Sequence, residues 1–180
     1  MIGMGINRAA TIQDRDGIRG VYLRAFPEGE SEIVSKLAVD LLFEETTPKT
    51  ISLVAEAEGT VAGHAAFSPV IMEPHANHQG YILAPLAVDP DYQKKGIGSH
   101  LVDDGIQQLS AMGVNIVFVY GDPKYYSRFG FGAEAAHRYT APYKLQYPFG
   151  WQAAELNECR MEKLCALITC VTPLCDPKLW

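Results

Sequence analysis

YILAPLAVDPDYQKKGIGSH, residues 81–100, decides the fold of this 180-residue chain. Residues 81–88 are mostly apolar, as expected for a strand buried on both faces. Asp89-Pro90-Asp91 breaks the run, and Gly96 and Gly98 open the next element. Ile97, Leu101, Ile106 and Leu109 then recur at helical spacing, which predicts a helix over 97–112 that Gly113 stops. VNIVFVY, residues 114–120, is a second buried strand. Strand, Gly-containing loop, helix and strand make a β-α-β crossover, so the two strands are parallel.

Outward from this unit the chain alternates helices and strands. NRAATI (7–12) reads as a short strand. Asp14 or Asp16 can cap a helix to about Phe26, with Ile18, Val21, Tyr22 and Ala25 at helical spacing. PEGESE (27–32) interrupts, and a second helix carries Ile33, Leu37, Leu41 and Leu42. ISLVAEAE (51–58) and VAGHAAFSPVIM (61–72) form a hairpin about Glu58-Gly59-Thr60, and PHANHQG (74–80) is a loop. Beyond Asp122 come a short helix (PKYYSRF), a Gly-Phe-Gly turn and strand-like stretches. YKLQYPFGW (143–151) alternates aromatics like a strand, and 160–172 reads as a strand or a buried helix. The fold class is α/β (α+β), with a mixed, mainly antiparallel sheet flanked by helices, in one domain over 1–180.

Composition excludes several functions. Apolar residues make up 48%, enough to offset the ordering entropy that keeps polar tails disordered. The net charge of −6 disfavours duplex nucleic acid and anionic membranes, which bind through Lys/Arg excess. The C-terminal part shows no basic-aromatic patch for RNA, so neither a nucleic-acid nor a membrane partner is expected. No run approaches the roughly 20 apolar residues of a membrane helix. The N-terminal stretch has no apolar core behind a basic cap, so a cytoplasmic protein is expected. Cys159, Cys165, Cys170 and Cys175 have irregular gaps and no CxxC, and read as free thiols in a reducing compartment. His75 and His78 are two ligands across a loop, too few for a metal site, and no metal is expected. His64, inside a strand, reads as a satisfied core or edge residue.

The loop Gln93-Lys94-Lys95-Gly96-Ile97-Gly98-Ser99 carries the chemistry. It enters a helix N-terminus, where backbone N–H groups lack intrahelical partners and the helix dipole adds positive potential. Gly96 and Gly98 let a phosphate approach the backbone, and Lys94 and Lys95 add charge. A Walker A loop would need a Lys that is missing here, and a dinucleotide fingerprint would need a third Gly.

The segment Leu86-Ala87-Val88-Asp89-Pro90-Asp91-Tyr92-Gln93-Lys94-Lys95-Gly96-Ile97-Gly98-Ser99 resembles the acetyl-CoA-binding segment of the GCN5-related N-acetyltransferases (GNAT superfamily), with its [RQ]-x-x-G-x-[GA] signature. Tyr126-Ser127-Arg128-Phe129-Gly130-Phe131 looks like the family's Y-x-x-x-G-F element. The longer string from Gly121 to Phe131, with Ala84-Pro85-Leu86-Ala87-Val88 and Ala66-Phe67-Ser68-Pro69-Val70, resembles the bacterial YhbS-like subfamily.

The resemblance implies a site. The strands at 81–88 and 114–120 would splay apart, with Leu86, Ala87 and Val88 lining the pantetheine arm and a backbone N–H polarising the thioester carbonyl. Backbone N–H groups of Gln93, Lys94, Lys95, Gly96, Ile97, Gly98 and Ser99 would hold the pyrophosphate. Tyr126 would be the general acid, while Tyr125 packs. Glu28, Glu30 and Glu32 lie in the loop that borders the family's acceptor pocket and would bind or deprotonate a cationic amine; the alternative is a solvated acidic loop without that role. Strand 81–88 carries no Glu or Asp, where several relatives place a base. Gly121-Asp122 stands where the family often has Asn. The expected activity is acetyl transfer from acetyl-CoA to an amine of a small molecule or a peptide. A catalytically silent acyl-CoA-binding regulatory module is the alternative. Apolar residues of the C-terminal segment leave room for a homodimer.

Overall fold

The computed structural model describes residues 6–75, 77–157 and 165–180. Its elements are β1 (Ile6–Ala9), α1 (Arg15–Ala25), α2 (Ser31–Phe43), β2 (Ile51–Ala57), β3 (Thr60–Glu73), β4 (Gly80–Val88), α3 (Ile97–Ala111), β5 (Ile116–Tyr120), α4 (Pro123–Tyr126), α5 (Ala133–Ala136), β6 (Tyr139–Thr140), β7 (Trp151–Glu155) and β8 (Ala166–Thr169). The strand order is β1-β2-β3-β4-β5-β7, with β8 pairing β3 and β6. β1/β2, β2/β3, β3/β8 and β5/β7 are antiparallel, and β4/β5 and β6/β8 are parallel. The sheet is therefore mixed and mainly antiparallel. The β4/β5 ladder runs from Gly80↔Ile116 to Leu83↔Val119, while β4 continues to Val88 and β5 ends at Tyr120.

The chain divides into two compact units. The first comprises residues through Phe67 and Pro85–Gly105. Its core gathers Ile18, Val21 and Tyr22 of α1, Ala38 of α2, Val54 of β2 and Ala87 of β4. Each fully buried large side chain of this kind contributes about 1.5–3 kcal/mol. Gly63 faces the other way, where a Cβ would lie 3.0 Å from Ile97 and 3.1 Å from Leu101 of α3. Between them sits a β-bulge. Ala55 pairs with Gly63 but Glu56 pairs with Val61, so Ala62 is the extra residue. Gly105 admits the Phe67 ring, which would lie 2.1 Å from an added Cβ.

The N-terminal strand stops at Ala9, three residues before the expected end. Asp14 explains the stop. Its carboxylate accepts the Thr11 N–H at 2.7 Å and both Arg8 terminal nitrogens at 2.8 Å. It thus turns the chain rather than capping α1. The Arg8 guanidinium holds this carboxyl well below the usual carboxylate range, against the opposing cost of burial.

The second unit comprises Ser68–Ala84 and the residues from Ile106 on. β5 is buried from Ile116 to Val119. Phe118 stacks on Trp151 at 5.2 Å and meets the Tyr139 ring edge at 5.1 Å. The Trp151 indole N–H reaches the Tyr139 carbonyl at 2.9 Å. The expected strand over 143–151 is corrected here: Pro148–Gly150 is a 3-10 turn, and the strand begins at Trp151. Pro148 has no N–H for a ladder, and the Gly150 N–H is held by the Tyr147 carbonyl at 2.8 Å. Of the stretch 160–172, Ala166–Thr169 is strand β8, and residues 160–164 lie outside the described residues. Cys165, Cys170 and Cys175 are free thiols, and Cys159 lies outside the described residues. Burial pushes the Cys170 thiol up to about 12, with Cys175 adding to the shift. No described helix is long and apolar enough to cross a membrane. The described residues gather no group of three or more His, Cys, Asp or Glu that could hold a metal.

Candidate functional site

The end of β4 leads into the glycine loop. Ala87 is buried in the first core, while Leu86 and Val88 are half-buried. The next residue, Asp89, is anchored twice. Its N–H donates to the carbonyl of the bulge residue Ala62 at 2.8 Å. Its carboxylate accepts the Asp91 N–H at 3.0 Å and Arg24 Nη1 at 2.8 Å. Arg24 Nη2 reaches Asp91 at 2.8 Å, so one guanidinium at the end of α1 spans both carboxylates. Gln93 donates its side-chain amide to the Val88 carbonyl at 3.0 Å.

Lys94 and Gly96 then adopt left-handed backbone, with φ of 61° and 83°. Glycine is the residue that takes this conformation without steric cost. The Gly96 carbonyl accepts the His100 N–H at 3.0 Å and starts α3. Among the described residues, the N–H groups of Gly96, Ile97, Gly98 and Ser99 find no acceptor. Four unpartnered donors at a helix start, with two glycines that present no side chain, suit a diphosphate. The two lysines differ. Both are exposed, but Lys95 folds back, donating to the Asp91 carbonyl at 2.9 Å with its ammonium 5.0 Å from the Tyr92 ring centroid. Lys95 therefore braces the loop.

Tyr126 belongs to the second unit. Asp122 caps α4 by accepting the Lys124 N–H at 2.9 Å, and Pro123 supplies the preset φ of a first helical residue. Gly121 makes room for the phenol: an added Cβ would lie 2.5 Å from the Tyr126 ring. This close approach, and the cap that follows it, account for Gly121-Asp122 at this turn. The ring also meets Tyr125 at 5.0 Å and Phe131 at 5.9 Å, both edge-on. Desolvation raises the Tyr126 pKa above the ordinary tyrosine range, and Tyr125 adds to the shift. The phenol is thus fully protonated at neutral pH. Tyr125 packs, with the Arg128 guanidinium 4.6 Å from its ring centroid.

The three acidic candidates are all exposed. Glu32 pairs with Arg19 at 3.3 Å, and Glu28 and Glu30 flank Gly29, whose φ is 100°. His64 is sealed in the first core. Its Nδ1 lies 2.8 Å from the Tyr22 hydroxyl and its Nε2 2.8 Å from the Ser52 hydroxyl. Burial lowers its pKa to about 3. It is a satisfied core histidine, and with both ring nitrogens engaged it is no general base. The sequence reading missed the Arg24 bridge, because nothing local links residue 24 to residues 89 and 91.

A family model described as the acetyltransferase (GNAT) family matches residues 16–131. The uncharacterized N-acetyltransferase YjhQ of Escherichia coli K12 is 38% identical over 134 residues, covering 73% of this chain and 72% of that one. The uncharacterized N-acetyltransferase YhbS of the same strain is 41% identical over 125 residues, covering 69% and 71%. The crystal structure of Escherichia coli YhbS in complex with CoA matches with a TM-score of 0.83 and 30% identity, over 96% of this chain and 92% of that one. A GNAT family acetyltransferase from Brucella melitensis in complex with acetyl-CoA matches with a TM-score of 0.70 and 31% identity, over 96% and 99%.

Proposed function

Because the chain belongs to the acetyltransferase (GNAT) family, we propose that it transfers an acetyl group from acetyl-CoA to an amine acceptor. The observation that carries this reading is the run of unpartnered N–H groups from Gly96 to Ser99, presented at the start of α3 behind two left-handed residues. Acetyl-CoA supplies the activated acetyl thioester. The chain supplies the rest. Backbone N–H groups over Gln93–Ser99 take the pyrophosphate, and the backbone of Leu86, Ala87 and Val88 lines the pantetheine arm. A backbone N–H there polarises the thioester carbonyl. The cationic amine first loses one proton to water, and its neutral nitrogen then attacks the thioester carbonyl. As the C–S bond breaks, Tyr126 gives its proton to the departing sulfur, and the nitrogen's second proton returns through water to the Tyr126 phenolate. Glu28, Glu30 and Glu32 favour a cationic acceptor, either a small-molecule amine or a peptide amine.

A second reading keeps the cofactor and drops the transfer: a silent acyl-CoA-binding regulatory module. It is favoured by one observation. β4 carries no carboxylate, and the one histidine of β3 is buried, doubly bonded and neutral. The test is an amine panel incubated with acetyl-CoA and read by mass spectrometry, because the free cysteines would react in a thiol-reagent assay. Polyamines, aminoglycosides and peptides with free N-termini or lysines make up the panel. Enzyme-dependent gain of one acetyl group on an amine supports transfer. Tight acetyl-CoA binding with no acetylated product across the panel supports the silent module.

A further inference from the structure

Two carboxylates stand just ahead of the proposed phosphate loop. Asp89 is buried and Asp91 is exposed, and the loop's free N–H groups begin at Gly96. An anion approaching those N–H groups meets both negative charges unless something cancels them. Arg24 offsets them from α1, with one 2.8 Å hydrogen bond to each carboxylate, and the Lys95 ammonium adds positive charge near Asp91. Lysine could not replace Arg24, since one ammonium cannot present the planar fork that reaches two carboxylates at once. The same contacts fix the turn, because Asp89 also holds the Asp91 N–H and is itself tied to Ala62 of the bulge.

We propose that Arg24 is a positioning residue for the phosphate-bearing half of the acyl donor: it offsets the charge of Asp89 and Asp91 and holds their turn so that Gly96–Ser99 can receive a diphosphate. The proposal rests on the acetyl-CoA reading above. The Arg24 guanidinium is engaged with Asp89 and Asp91, so its influence falls on donor affinity and leaves the chemical step alone.

The experiment compares wild type, R24Q and the triple variant R24Q/D89N/D91N, each shown to be folded by its thermal melt. CoA is titrated calorimetrically at low and high salt. S-acetylpantetheine, which lacks every phosphate, is titrated by chemical-shift changes. R24Q is expected to bind CoA about tenfold more weakly at low salt, and the loss shrinks as salt screens the uncovered carboxylates. S-acetylpantetheine binds R24Q and wild type alike. Removing the carboxylates in the triple variant restores most of the CoA affinity. R24Q binding CoA within roughly twofold of wild type, an equal loss for both ligands, or no recovery in the triple variant overturns the proposal. Failure of wild type itself to bind CoA is a different result, and it overturns the acetyl-CoA reading on which the proposal rests.

Discussion

Tyr126→Phe lowers kcat by about two to three orders of magnitude and leaves acetyl-CoA affinity within roughly threefold of wild type, the range expected when a positioned general acid is lost. The substitution is conservative in packing. The ring that fills the space over Gly121 remains, as do its edge contacts with Tyr125 and Phe131. Only the hydroxyl goes. Desolvation holds that hydroxyl protonated well past neutral pH, so the wild type keeps its acid across the alkaline range in which free tyrosine ionises. Steady-state kinetics with an acceptor found in the amine panel measures the effect. An unchanged kcat makes Tyr126 a packing residue and places the proton elsewhere.

The second large effect is on stability and belongs to His64. Its folded pKa is depressed to about 3, against an ordinary value near 6.5. Between those values the unfolded chain binds a proton that the folded chain does not. Stability is therefore complete above about pH 6.5 and falls as the pH drops, at up to about 1.4 kcal/mol per pH unit. From pH 6.5 to 4.5 that amounts to about 2–3 kcal/mol. Asp14 works in the same direction at lower pH. Arg8 depresses its pKa below the ordinary carboxylate value, so its contribution is lost only below about pH 4. The window from pH 4.5 to 6.5 therefore isolates the histidine. Urea unfolding at half-unit pH steps is the measurement. In His64→Gln, which can still bond Tyr22 and Ser52, the stability at pH 7 is lower but the slope across this window is lost. An equal slope in both proteins contradicts the account of a buried neutral imidazole.

The central β-α-β unit was legible because three local signals agree there. The apolar run 81–88, the helical spacing from Ile97 and the stop at Gly113, whose φ is 80°, each name the same element boundaries. The turn into α3 was legible for the same reason, since Gly96 marks a break just ahead of the helical spacing. Tyr126 became a candidate only through a resemblance, since a tyrosine in a short helix has no local mark of function. The bulge at Ala62 was not legible, because a one-residue register shift alters pairing without altering the apolar pattern. Nor was the Arg24 bridge, which joins groups 65 and 67 residues apart. Residues 143–151 misled because alternating aromatics mimic a half-buried strand. Here they serve ring contacts instead: Tyr143 with Trp180, and Tyr147 with Phe149. Of the two candidate helix caps, Asp16 falls inside α1, and an arginine six residues earlier claims the Asp14 carboxylate.

The measurement that tests the central claim most directly is a calorimetric titration of the reduced protein with acetyl-CoA, free CoA and a longer acyl-CoA. Gly96→Ala is run in parallel. Its added Cβ meets nothing closer than His100 at 3.8 Å, but it must hold a φ of 83° that costs an alanine about 1–2 kcal/mol. The account predicts saturable binding of acetyl-CoA and CoA by the wild type, weakened at least about tenfold in Gly96→Ala as the loop relaxes away from its left-handed turn. Absence of binding by the wild type to any of the three, or equal binding by Gly96→Ala, would contradict the claim that this loop receives the cofactor.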